Sequence, residues 1–252
     1  MNPHTKQAHS SYFSAKSTSA CCGVGVKQKI PYNLGIIIDG NRRWAMERGL
    51  PAFEGHRRGL ERVRELIKWC KERGIKILTL FVFSTENWKR SKKEVNYLMG
   101  LIKKAFNKKN TEKINREGIK VQIIGQRERL VKSVQKKIKE TEELTKNNKK
   151  MTLNFALSYG GRAEIVEAIK NIIKNKIPPE KITEETIKEN LWTSDVDLMI
   201  RTGKEQRISN FLIWQTAYCE LYFSQKYWPD FTEKDLDKAL ADYASRQRRF
   251  GK

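Results

Sequence analysis

Six short apolar runs frame this 252-residue chain: residues 35–38, 75–83, 121–124, 151–157, 197–200 and 221–223. Their β-branched and aromatic content predicts buried strands. Between them, apolar residues recur at helical spacing. Leu60, Val63, Ile67 and Cys70 form one such face, closed by Gly74, and Val95, Leu98, Met99, Ile102, Ala105 and Phe106 form another. Residues 128–146 predict a charged helix with Leu130, Val134 and Ile138 inward, and Ile165, Ile169, Ile172 and Ile173 mark a further one. Residues 231–250, through Leu236 and Leu240, predict a last amphipathic helix. Residues 49–59, with glycine at 49, 55 and 59, read as a connection. Strands alternating with helices predict an α/β fold with a central parallel six-stranded sheet flanked by helices.

The polar residues fall in a consistent place relative to that pattern. Asp39, Ser84 to Arg90, Tyr159 to Arg162 and Arg201 to Arg207 each follow a predicted strand. In a parallel sheet these segments converge on the carboxyl edge, where open α/β sheets place their sites. The first is the most telling. Three isoleucines end at Asp39, Gly40 and Asn41, and Arg42 to Arg48 then read as a helical turn. A helix start presents free backbone N–H groups, Gly40 permits close approach, and two arginines add charge, so a phosphate is the natural ligand. A lone carboxylate among phosphate-binding groups suits a divalent cation bridging to phosphate oxygens. The plain alternative is an Asp-Gly-Asn turn with surface arginines.

Charge widens the choice of partner. The formal net charge is +22 and the pI about 9.9, which favours polyanions: nucleic acid, diphosphates or an anionic membrane surface. No apolar run approaches a membrane span, so membrane contact would be peripheral. Cys21, Cys22, Cys70 and Cys219 match no zinc spacing and no disulfide framework, which points to a reducing, cytoplasmic compartment. Residues 1–30 carry no acidic residue and no periodic hydrophobicity; they read as a disordered basic tail, with a plastid or mitochondrial targeting segment as the lesser alternative. Residues 31–252 read as a single catalytic domain without internal repeats.

Ten blocks in order carry a resemblance. They include Asp39-Gly-Asn-Arg-Arg-Trp-Ala45, Gly55-His56, Phe83-Ser-Thr-Glu-Asn-Trp-Lys-Arg90, Ser158-Tyr-Gly-Gly-Arg162, Asp197-Leu-Met-Ile-Arg-Thr-Gly203, Glu205-Gln-Arg-Ile-Ser-Asn-Phe-Leu212 and Glu220-Leu-Tyr-Phe223. Over residues 31–252 the chain resembles the cis-prenyltransferases, or Z-type isoprenyl diphosphate synthases, of the undecaprenyl diphosphate synthase type. The resemblance implies condensation of isopentenyl diphosphate onto an allylic diphosphate such as farnesyl diphosphate, with a cis double bond formed and pyrophosphate released. The product would be an undecaprenyl or shorter Z-polyprenyl diphosphate.

By the same resemblance, Arg201, Arg207, Ile208 and Ser209 hold the isopentenyl diphosphate. Gly40, Asn41, Arg42, Arg43, Trp44 and His56 hold the allylic diphosphate. Ser84, Thr85, Glu86, Asn87, Trp88 and Arg90 belong to a loop that closes over both. Asp39 and Glu220 are implied as ligands of Mg²⁺, and Asp39 and Asn87 as the catalytic pair. An amide is a poor base at neutral pH, so Asn87 is read as positioning substrate or a bridging water while a pyrophosphate oxygen or a carboxylate accepts the proton. Leu98, Met99, Ile102 and Phe106 are implied as one wall of a product tunnel, with Val82 near its mouth or floor. A homodimer is implied, with Arg249, Phe250 and Gly251 reaching toward the partner's site, and a lipid product makes peripheral membrane contact plausible.

Some positions depart from the family pattern. Ala52 stands where an arginine is frequent, Arg42 and Lys204 replace glycines, and Lys103 and Lys104 interrupt an apolar helix. Val82 replaces a frequent alanine and hints at a shorter product. Two rival readings are a basic nucleic-acid-binding protein, which gives no reason for carboxylates at strand ends, and a non-catalytic partner subunit, which would lack the intact Asp-Gly-Asn and arginine motifs. Within the enzyme class, the alternative is a relative that couples short allylic chains into a branched terpenoid diphosphate.

Overall fold

The computed structural model describes residues 29–247. Its strands are β1 (Asn33–Ile37), β2 (Ile77–Ser84), β3 (Ile119–Ile124), β4 (Met151–Tyr159), β5 (Leu198–Arg201) and β6 (Glu220–Phe223). They form one parallel sheet in the order β3-β4-β2-β1-β5-β6, as the alternating pattern predicts. The helices are α1 (Asn41–Met46), α2 (Ala52–Glu72), α3 (Lys92–Ala105), α4 (Lys108–Arg116), α5 (Lys132–Thr145), α6 (Gly161–Lys174), α7 (Glu184–Glu189) and α8 (Glu233–Ser245). The last expected helix was longer, and Arg249, Phe250 and Gly251 lie outside the described residues, as do residues 1–28.

Both sheet faces are covered, which is why the strands lack a polar side. In β1, Leu34 and Ile36 enter a large apolar cluster with α2, α3, α5 and α8, while Ile37 joins a smaller one with Phe81, Tyr159, Met199 and Phe211. The strand order reverses at β1. The chain runs from β1 outward through β2, then returns to place β5 on the other side of β1. A crevice opens at such a switch point, outside the carboxyl ends of the strands. Asp39 and Arg201 therefore sit at its lip: Ile37 is in register with Arg201.

The stretch expected as a connection is instead helical from Ala52 onward. Gly55 and Gly59 are not loop residues but points of close approach. A Cβ on Gly55 would lie 1.9 Å from the Asn41 carbonyl oxygen, and one on Gly59 would lie 2.4 Å from Asn41 Oδ1. The two glycines weaken the helix by about 1 kcal/mol each relative to alanine, and in return α2 can lie directly against α1. The register of β2 against β4 also slips twice, first at Val82 and then at Ser158, which has a positive φ of 50°. Such bulges re-aim side chains at the end of a strand, and both residues matter below.

Candidate active site

The carboxyl edge of the sheet holds a cavity of about 740 Å³ lined by Asp39, Gly40, Asn41, Arg42, Arg43, His56, Ser84, Glu86, Asn87, Arg90, Arg201 and Ser209. Ile37, Ile38, Met46, Phe81, Val82, Leu98 and Asn210 complete it. Twelve residues singled out from the sequence thus share one wall, drawn from the segments after β1, β2 and β5 and from α2.

Asp39 is at its centre. Its backbone is pinned by Thr202, whose hydroxyl accepts from Asp39 N at 3.0 Å and donates to Asp39 O at 2.8 Å, and by Trp228 N at 3.0 Å. One carboxylate oxygen accepts from Gly40 N at 2.6 Å; the other accepts from Arg201 Nη2 at 2.8 Å and Arg43 Nη2 at 3.3 Å. Gly40 adopts φ 99°, and a Cβ there would lie 2.5 Å from the Tyr227 ring, so only glycine allows this turn.

The arginines form two groups on either side of Asp39. Arg201 is buried, and its Nη1 donates to Ser209 Oγ at 2.7 Å and to the Arg207 carbonyl. Arg207 lies at the exposed rim, where Glu205 accepts from it at 2.6 Å and from Arg43 at 2.7 Å. The Arg207 guanidinium, with Arg43, holds the Glu205 carboxyl below the usual carboxylate range. On the other side, Glu94 of α3 faces Arg90 at 2.9 Å, His56 Nε2 at 3.5 Å and Arg42 at 3.6 Å. Burial and then the Arg90 charge push the His56 pKa down, against Glu94, which raises it. His56 is consequently a neutral imidazole at pH 7.

The turn Thr85–Lys89 closes the third side. Asn87 Oδ1 accepts from Ser84 N at 3.1 Å. Burial pushes the Glu86 carboxyl up, but hydrogen bonds from its own backbone N–H and from Ser84, Asn210 and Thr85 outweigh it and leave the pKa lowered.

Beneath this polar cavity lies a second, apolar one of about 80 Å³, lined among others by Leu60, Val63, Val82, Leu98, Ile102, Phe106, Phe155 and Leu157. Ile38, Asn41, His56, Val82 and Leu98 border both. Val82, the bulged residue of β2, stands at the junction, and Phe106 meets Phe155 edge to face at 5.4 Å. Met99, expected on this wall, is instead packed in the core.

Five other expected site residues lie elsewhere. Trp44 is buried against Tyr227 and donates its indole N–H to Asp230 at 2.7 Å. Trp88 turns inward, meets Phe83 edge to face at 4.9 Å and donates to the bulged Ser158 Oγ at 2.9 Å. Ile208 and Thr85 flank the cavity without lining it. Glu220 is at the opposite edge of the sheet. It begins β6 in register with Leu198 and hence Leu34, five residues before Asp39, or about 16 Å at the usual strand rise. There it accepts from Arg246 at 2.9 Å, so one chain does not bring Glu220 and Asp39 together. Conversely, Glu94, Glu205 and Asn210 belong to the site; the last two lie in one of the quoted blocks, but the sequence assigns no role to them or to Glu94.

A divalent cation fits the donor set that remains. Among the described residues no group of three or more His, Cys, Asp or Glu could hold a metal by itself. Magnesium does not require one; it is commonly held by one or two carboxylates plus substrate phosphates. Asp39 offers a carboxylate to the cavity whose oxygens retain acceptor capacity beyond the three N–H groups they already meet. Buried Asn41 Oδ1, His56 Nε2 and Arg201 Nε have no hydrogen-bond partner within the protein.

The comparisons with known proteins follow the same lines. Residues 37–251 match the family model described as putative undecaprenyl diphosphate synthase. An isoprenyl transferase of Thermotoga maritima is 50% identical over 228 residues, 88% of this chain and 97% of that protein. One from Aquifex aeolicus is 47% identical over 227 residues, covering 89% and 97%. Among solved structures, lavandulyl diphosphate synthase from Lavandula x intermedia, in complex with dimethylallyl diphosphate, aligns with a TM-score of 0.85 at 38% identity over 88% of this chain and 99% of that one. A probable undecaprenyl diphosphate synthase from Campylobacter jejuni aligns with a TM-score of 0.77 at 35% identity, covering 89% and 100%. The chain belongs to the undecaprenyl diphosphate synthase family of isoprenyl transferases.

Proposed function

We propose that this prenyltransferase condenses isopentenyl diphosphate onto an allylic prenyl diphosphate, forming a cis double bond and releasing pyrophosphate. The observation that carries the reading is the junction of the two cavities. A polar chamber with cations on both sides of one carboxylate opens onto an apolar slot. That arrangement suits two diphosphate heads side by side with one hydrocarbon chain kept from water.

Arg42, Arg43, Arg90 and the helix start at Asn41 bind the allylic diphosphate, and His56 donates or accepts at its edge. Arg201, Arg207 and Ser209 bind the isopentenyl diphosphate. Guanidinium forks make paired charge-assisted bonds to phosphate oxygens, roughly twice as strong as neutral ones. Mg²⁺, held by Asp39 together with phosphate oxygens and water, would neutralise charge on the departing diphosphate. The arginines around the leaving group do the same from the protein side as the allylic C–O bond breaks. The new C–C bond forms to the terminal alkene carbon (C4) of isopentenyl diphosphate, positive charge develops at C3, and the C2 methylene next to C3 loses a proton to a pyrophosphate oxygen as the C2=C3 double bond forms. Asn87, fixed by Ser84, positions the substrates and has no useful pKa for taking that proton.

The allylic substrate has independent support, since the Lavandula relative is described with dimethylallyl diphosphate. That relative also keeps a second product class in view, a branched diphosphate from short allylic chains, which the small apolar cavity favours.

A homodimer accords with α6, whose Val166, Ile169 and Ile173 are 52%, 45% and 69% exposed along one stripe of the helix. Such a patch marks an association surface. Among the described residues no helix is long and apolar enough to cross a membrane, and the lipid product is passed on through peripheral contact, consistent with a cytoplasmic enzyme. The test is incubation with labelled isopentenyl diphosphate, Mg²⁺ and geranyl, farnesyl or geranylgeranyl diphosphate, followed by chromatography of the lipid products. Extended Z-prenyl diphosphates are expected. Absence of label in any lipid would overturn the reading, and a branched product from dimethylallyl diphosphate alone would favour the second class.

A further inference from the structure

The segment after β5 contains an unusual backbone run. Ser209, Asn210 and Leu212 have φ values of 47°, 64° and 46°. Side chains other than glycine rarely adopt that left-handed region, and asparagine does so with the least strain. Asn210 is at the middle of this run and uses its carbonyl and both ends of its side-chain amide. Its carbonyl accepts from Gly161 N at 2.7 Å, its Oδ1 accepts from Arg162 N at 3.0 Å, and its Nδ2 donates to Glu86 Oε1 at 3.1 Å. One residue thereby joins the segments that follow β5, β4 and β2.

The glycines at 160 and 161 make this junction sterically feasible. A Cβ on Gly160 would lie 2.8 Å from both Asn210 Nδ2 and Thr85 Oγ1, and one on Gly161 would lie 3.0 Å from Ile213 N. The neighbours of each end of the junction carry the proposed chemistry. Ser209 is held by Arg201, and Glu86 precedes Asn87 on the turn that walls the cavity.

We propose that Asn210 is a positioning residue that couples the diphosphate-binding segment 201–209 to the Thr85–Lys89 turn. Seating a diphosphate on Arg201 and Ser209 then fixes the turn over the substrates through the Asn210–Glu86 bond. The proposal rests on the functional reading above for its consequence in turnover, but the coupling itself can be read without turnover.

Asn210→Asp is the discriminating change. It keeps the size, the tolerance of positive φ and the acceptor for Arg162 N, and it sets a carboxylate against Glu86. Adding Glu86→Gln restores a donor–acceptor pair with the roles reversed. The first readout is amide hydrogen exchange over residues 84–90 with and without inorganic pyrophosphate. Pyrophosphate is expected to slow exchange in the wild type, to lose that effect in Asn210→Asp, and to regain it in the double variant. The second readout is steady-state kinetics with isopentenyl and farnesyl diphosphates. In Asn210→Asp, kcat/KM for isopentenyl diphosphate is expected to fall about tenfold, the scale of losing one charge-assisted hydrogen bond, with the farnesyl KM and the Tm unchanged.

The proposal is overturned if pyrophosphate leaves exchange over residues 84–90 unaltered in the wild type, or if Asn210→Asp responds like the wild type. Equal losses toward both substrates with a lowered Tm and no recovery of the exchange effect in the double variant would assign Asn210 a structural role instead. A wild type that protects the turn with pyrophosphate but extends no prenyl chain would contradict the functional reading and leave the coupling standing.

Discussion

Arg201 reaches across the switch point of the sheet and donates to Asp39 Oδ2 at 2.8 Å, while its other terminal nitrogen donates to Ser209 Oγ at 2.7 Å. One guanidinium therefore fixes both the carboxylate and a hydroxyl proposed to contact substrate. Lysine keeps the charge but cannot form the planar fork. For Arg201→Lys, kcat/KM for isopentenyl diphosphate is expected to fall about 10- to 100-fold, the range for one charge-assisted hydrogen bond of about 1.5–3 kcal/mol. Steady-state kinetics with the farnesyl primer saturating measures it; a loss below twofold would show that the fork is not used.

His56 gives the fold a pH dependence with a definite sign. Its folded pKa is lowered from 6.5, first by burial and then by Arg90. The native state therefore binds fewer protons than the unfolded chain in the window just below 6.5. Its contribution to stability is complete above that value and is lost as pH falls toward the depressed folded pKa. Urea midpoints at pH 7.5, 6.5, 5.5 and 5.0 should fall more for the wild type than for His56→Gln. Parallel curves would contradict the assignment.

Val82 stands where the polar chamber meets the apolar slot, at the first bulge of β2. Removing two methyl groups there widens the entrance at a stability loss of about 1–2 kcal/mol. Val82→Ala is expected to shift the product distribution toward longer chains, and Phe106→Leu to do the same from the far wall. Chromatography of dephosphorylated products reads the length, and an unchanged distribution in both variants would place the chain elsewhere.

Gly55→Ala tests the approach of α2 to α1. Alanine gains about 1 kcal/mol in helix propensity, but its Cβ would meet the Asn41 carbonyl oxygen at 1.9 Å. The clash involves backbone, so relief requires α1 and the Asp39 turn to move. The expected net effect is a loss of about 1–3 kcal/mol, the scale of overpacking, with weaker binding of the allylic diphosphate. A raised Tm would show that α1 yields freely.

How much of this was legible in the sequence depends on the kind of rule each feature obeys. Strands β1, β2 and β4 are long apolar runs covered on both faces, so the pattern marks them without ambiguity. The rule that loops after parallel strands share an edge then places Asp39, Asn87 and Arg201 together. The same rule separates Glu220, which begins its strand and so falls at the other edge; family likeness alone had joined it to Asp39. Trp44 and Trp88 were grouped with the site because their neighbours are in it, yet a helix start and a tight turn send adjacent side chains in different directions. Helices α4 and α7 are short and bury little, Thr111 being the one residue of α4 and none of α7 that is fully buried, so neither leaves a clear period. Glu94 and Glu205 each pair with a near neighbour, but what brings them and Asn210 into the site are partners distant in the chain, His56 and Arg42, Arg43, and Glu86, which no local pattern encodes.

The most direct test of the shared-pocket account is chain extension by Asp39→Ala, measured as label incorporated from isopentenyl diphosphate with farnesyl diphosphate and Mg²⁺, beside circular dichroism of the same sample. Asp39 is central to both arginine groups and is the carboxylate proposed to hold Mg²⁺, so incorporation is expected to fall by at least about a hundredfold, with the spectrum of the wild type retained. Wild-type incorporation by a folded Asp39→Ala protein would contradict the account.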